Sequence, residues 1–64
     1  MKTISNDGSN RLRVDFRYTD NNFNKPYGIW IYQEIKLGNN WQGINSMFFQ
    51  KSEVKRILEE FKHT

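Results

Sequence analysis

Tyr27-Gly28-Ile29-Trp30-Ile31-Tyr32-Gln33-Glu34-Ile35-Lys36-Leu37 is the longest run of β-branched and aromatic residues in the 64-residue chain. Such residues suit a pleated, half-buried surface, so the run reads as a strand. Side chains alternate across a strand, which gives this one two unlike faces. Tyr27, Ile29, Ile31, Gln33, Ile35 and Leu37 form one face, and Gly28, Trp30, Tyr32, Glu34 and Lys36 the other. The first is a core face. The second places two large rings and a cation where solvent is expected.

Upstream, Arg11 to Tyr18 alternates strictly. Leu12, Val14, Phe16 and Tyr18 share one face, and Arg11, Arg13, Asp15 and Arg17 the other. This predicts a half-buried strand with three arginines on its outer side. Between the two strands, residues 19–26 read as a loop rich in Asp and Asn and closed by Pro26, with Phe23 as its one ring. Before them, Asn6-Asp7-Gly8-Ser9-Asn10 is a cluster of turn formers. Residues 1–10 are therefore a flexible tail or a short edge strand at 2–5, and residues 11–62 form a single domain.

Downstream, Gly38-Asn39-Asn40 predicts a tight turn, since Gly and Asn accept positive φ cheaply. A further strand covers residues 41–49, with Met47 and Phe49 on one face and Gly43 bending or bulging it. The register around Gly43 leaves Trp41 unassigned. Val54, Ile57, Leu58 and Phe61 then repeat at i, i+3, i+4 and i+7, the stripe of an amphipathic helix. Ser52, or Gln50 with Glu53 three residues on, is the expected N-terminal cap, with Phe49 and Val54 as a staple.

The expected fold is α+β: an antiparallel meander of three to four strands followed by one C-terminal helix packed on one face. Short connections favour antiparallel neighbours. A chain this small buries only about 60% of its unfolded surface. It has no cysteine to add disulfides or structural zinc, so pairing as a dimer is the remaining route to stability. Absent cysteine fits the cytoplasm. No apolar run approaches a membrane span and no signal-peptide pattern opens the chain.

Pairing the two long strands as a hairpin brings Arg11, Arg13 and Arg17 onto the face of Trp30, Tyr32 and Lys36. Cations neutralise phosphates, and flat rings stack on unpaired bases at about 1–3 kcal/mol each. That combination suits single-stranded DNA or RNA, whose bases are free to stack, better than a duplex. The net charge of +3, from ten Lys/Arg against seven Asp/Glu, permits such binding without demanding it. With about four phosphate contacts, log K would fall with log salt at a slope near −3. The same face would also serve a homodimer, or a protein-interaction module such as an inhibitor or regulator, in keeping with a compact phage-encoded domain.

The order of elements resembles the PUR repeat of the Pur-alpha family. The stretches that carry the resemblance are Arg13-Val14-Asp15-Phe16-Arg17, Tyr27 to Glu34, and Ser46-Met47-Phe48-Phe49-Gln50-Lys51-Ser52-Glu53 entering the helix. The plan is also similar to the positive cofactor four family, which often has Gly-Ile before its last strand, as Gly43-Ile44 here. The resemblance covers residues 11–62 in patterns of residue type rather than fixed letters. It implies single-stranded nucleic-acid binding on a sheet surface and pairing of two sheet-plus-helix units. It carries over to Arg13 and Arg17 on the first long strand and to Trp30, Tyr32 and Lys36 on the next. The first strand of a full repeat is missing or reduced to residues 2–5, and the basic clusters that flank many such domains are absent.

Catalysis finds little support in the sequence. The one histidine, His63, lies next to the C-terminus, and the chain has no nucleophile elbow, no phosphate-cradling glycine loop and no metal-ligand spacing. No cofactor is implied. Asp15 and Glu34 are expected to pair with neighbouring cations rather than to act as acid and base.

Overall fold

The structure is a computed structural model that describes residues 1–19 and 23–63. Residues 20–22 of the expected loop, and Thr64, lie outside the described residues. Four antiparallel strands form one sheet in the order β1-β2-β3-β4: β1 Lys2–Asn6, β2 Asn10–Arg17, β3 Gly28–Leu37 and β4 Asn40–Gln50. Helix α1, Lys51–Lys62, follows β4 directly. The fold is thus the expected α+β meander. Residues 2–6 take the edge-strand option, and each long strand matches its expected span to within a residue or two.

Each turn has a local cause. At the β3–β4 hairpin, Gly38 has φ of +62° and Asn39 keeps a negative φ. A two-residue loop with glycine first matches the right-handed twist of the strands it joins. At the β1–β2 turn, Gly8 has φ of +92°. Here side chains close the loop: Asn6 Oδ1 accepts the Gly8 N–H at 2.9 Å, and Asp7 Oδ1 accepts those of Ser9 and Asn10 at 2.9 and 2.6 Å. The helix begins as a capping arrangement predicts. Gln50 is the N-cap, and the Glu53 carboxylate accepts its N–H at 2.9 Å.

Register sorts the side chains into two classes. Val14 lies opposite Ile31, Phe16 opposite Ile29, and Ile29 and Ile31 opposite Phe49 and Met47. On the reverse side Arg13 faces Tyr32, Asp15 faces Trp30 and Arg11 faces Glu34. In β2–β4 every charged residue lies on this second face, and the first carries none.

The helix covers less of the apolar face than its stripe suggests. Val54 is the only helix residue that is even half-buried, beside a groove lined by Phe16, Ile29 and Pro26. Ile57, Leu58 and Phe61 stay exposed, as does Met47 on the sheet. Val14, 6% exposed, is the one buried apolar side chain among the described residues. The molecule measures 39 × 36 × 15 Å, little more than one layer thick. No helix is long and apolar enough to cross a membrane.

The β1–β2 turn yields a pH prediction. The N–H groups of Asn10 and then Ser9 hold the Asp7 carboxyl below the ordinary aspartate value of 3.8. A lowered folded pKa gives stability that is present above the unfolded value and lost as pH falls through the folded one. NMR titration should place the Asp7 midpoint below 3.8, with protection of the Ser9 and Asn10 amides falling on acidification past it.

Candidate nucleic-acid interface

The charged face of β2–β4 collects all six residues expected there. Arg11, Arg13 and Arg17 lie opposite Glu34, Tyr32 and Gly28, so Trp30 and Tyr32 fall between and beside them. Lys36 lies one pair further along β3, opposite Trp41. Three further rings, Phe48, Trp41 and Tyr27, join them. Phe48 lies opposite Trp30 with ring centroids 5.4 Å apart and planes tilted by 56°. The Trp30 and Tyr32 rings, two residues apart on β3, are 6.1 Å apart and nearly parallel at 23°.

Trp41 reaches this face through a bulge. The β3–β4 register shifts between Gln33 and Glu34, which pair with Asn45 and Gly43 and leave Ile44 unpaired. An extra residue in one strand reverses the alternation beyond it. Gly43 signals a bulge, but its exact position decides the face of Trp41, and only the ladder gives that position.

Tyr27 departs from the alternation in the opposite sense. Counting by twos puts it with Ile29, yet its ring centroid is 6.1 Å from that of Phe48, on the charged face. It precedes the first residue of β3 and is held by its backbone instead. Its N–H donates to Arg17 O, and its carbonyl accepts the Lys51 N–H, both at 2.9 Å. Outside the ladder, period-two counting has no hold on a side chain.

Gly28 makes room for the ring cluster. A Cβ built there would run into the Phe48 ring and stand 3.0 Å from Phe49 O. The glycine is therefore a floor for Phe48 rather than a turn residue.

The cations differ in how far they are already committed. Arg11 Nε donates to Glu34 Oε1 at 2.6 Å, and both side chains are less than one-fifth exposed. The Arg11 guanidinium also sits 4.3 Å from the centre of the Trp41 ring, a cation–π contact. Arg11 is thus clamped on two sides. Arg13 Nη1 is 3.9 Å from the same carboxylate oxygen, a weaker contact. Its Nε is buried with no hydrogen-bond partner among the described residues. Arg17 reaches Asp15 at 3.7 Å and is about half exposed, so the pair is well solvated. Lys36 is exposed. Four cations against two carboxylates leave the face positive. Asp15 and Glu34 pair with arginines as expected; they do not face each other.

Among the described residues, no group of His, Cys, Asp or Glu is arranged to hold a metal ion. His63 caps the helix C-terminus, its N–H donating to Glu60 O at 3.1 Å.

Three substitutions test this arrangement. Glu34→Gln removes the anion beneath two arginines and should destabilise the fold by about 1–3 kcal/mol, while Lys36→Gln, at an exposed position, should stay within about 0.5 kcal/mol. Gly28→Ala should cost about 1–3 kcal/mol by displacing Phe48. Urea midpoints read all three, and near-ultraviolet circular dichroism should change in Gly28→Ala as the Tyr27–Phe48–Trp30 cluster loosens.

No protein-family model matches the chain, and searches of curated proteins and of solved structures gave no match either.

Proposed function

We propose that the charged face of β2–β4 binds single-stranded nucleic acid without catalysing a reaction. The observation that carries this reading is the interleaving of Trp30, Tyr32 and Phe48 with Arg13 and Arg17 on neighbouring strands. Rings supply stacking surfaces for unpaired bases, and the arginines lie within a strand spacing of them to meet the phosphates between. The resemblance to PUR repeats and to the positive cofactor four family points the same way.

The contacts divide by how free each cation is. Arg11 is spent on Glu34 and Trp41, so its part is to hold Trp41 in place. Arg13, Arg17 and Lys36 are left for phosphates. Three contacts to a single strand give a slope of log K against log salt near −2, shallower than four would give. Trp30 and Tyr32 stack, and Phe48 braces Trp30.

One observation favours a second reading, a protein partner on the same face. Asp15 and Glu34 already neutralise part of its charge, and mixed charge around a ring cluster also fits a protein interface.

Tryptophan fluorescence titration with a short oligothymidine at low salt separates the two. Binding with a salt slope near −2 is expected, weakened about tenfold or more by Trp30→Ala and by Arg17→Ala, with Lys62→Ala as a control on the helix. No binding at low salt, or binding that both variants leave unchanged, refutes the nucleic-acid reading. Capture of a protein that survives nuclease and high salt supports the second.

A further inference from the structure

Among the described residues, much of the uncharged face of the sheet and the helix side chains Ile57 and Leu58 stay exposed, and their size and chemistry point to what covers them. A folded monomer of 7.8 kDa exposes about 4,400 Å² by the usual scaling with mass. This chain exposes 5434 Å². The excess, about 1,000 Å², is close to what one partner buries in a standard protein interface, about 800 Å². Its radius of gyration, 14.0 Å, exceeds the roughly 11 Å of a compact chain of this length and equals that expected for twice the length. One chain has the breadth of a two-chain body and half the thickness.

The chemistry of the uncovered surface fits burial. From β2 to β4 the face has no charged residue, and depletion of charge marks interface centres. Its central polar pair is partly matched within the chain, since Asn45 Nδ2 donates to Gln33 Oε1 at 3.2 Å. The remaining amide groups of that pair need partners from whatever covers the face. Around it, Leu12, Ile31, Met47 and Phe49 line an open groove of about 220 Å³.

We propose that the occupant is the helix of a second copy. The two surfaces match in size. A helix is about 10 Å across with its side chains, and β2–β4 spans two strand spacings of about 4.8 Å. The twelve residues of α1 run about 18 Å, enough to cross the face. Ile57 and Leu58, 45% and 57% exposed, are the residues that descend onto Met47 and its neighbours in the partner. Each chain carries one helix and one groove, so a two-fold axis satisfies both at once and the assembly closes at two. The pairing turns both charged faces outward and does not depend on what those faces bind.

Light scattering at micromolar concentration should give twice the chain mass, and the melting temperature should rise with protein concentration. A mixture of labelled and unlabelled chains should show isotope-filtered NOEs from the Met47 methyl of one chain to the Ile57 and Leu58 methyls of the other. Leu58→Lys should raise the dimer dissociation constant about tenfold or more. If Leu58 simply faced water, the same change would leave mass and melting temperature unmoved, and the proposal would fail. A folded chain of single mass overturns it. So do interchain NOEs confined to the β4 backbone, which would mean edge-to-edge pairing instead.

Discussion

The register of β2 against β3 is the constraint on which the rest depends. Arg13 opposite Tyr32 and Val14 opposite Ile31 are one decision seen from two sides of the sheet. A slip of one residue would carry every side chain of β2 through the sheet. Three arginines and an aspartate would then lie among Ile29, Ile31, Met47 and Phe49, where no counter-ion waits. A slip would also bring a charged residue to the place of Val14, the one buried apolar side chain among the described residues, which disfavours that register. Each face thus owes its character to the exclusion of the other's residues.

Within the charged face, the same logic works at close range. Arg11 and Glu34 are both largely shielded from water, and an unpaired charge there would be unfavourable. Together they make a fixed strut, with Trp41 laid against its outer end. At the opposite end, Gly28 admits the Phe48 ring, and Phe48 in turn meets Trp30 and Tyr27. The rings are held at defined spacings by a salt bridge on one side and a missing side chain on the other. Preorganised surfaces of this kind lose less entropy on binding than flexible ones.

Much of this was legible in the residues themselves. The alternation in Arg11–Arg17 and in Gly28–Lys36 is unbroken, and it places Arg13, Arg17, Trp30 and Tyr32 together once the strands are paired. Gly38 marks a hairpin that only glycine opens cheaply, and Gln50 with Glu53 marks the helix start. Trp41 and Tyr27 were not legible, for opposite reasons. Trp41 lies beyond a bulge that inverts the count, and Tyr27 lies just before the ladder that would impose one. The apolar stripe of the helix was plain, but what it faces is not a local property. Period shows that a face avoids water; it does not show whose surface provides the cover.

The two outer edges of the sheet are built unequally. β1 is five residues long, carries Lys2 and is broken by a register shift at Ile4, three features that discourage pairing from outside. β4 runs eleven residues from Asn40 to Gln50 with no charge and no proline. An extended peptide, or a misfolded neighbour, therefore finds one receptive border and one closed one. These features disfavour strand addition from outside at β1 more than at β4.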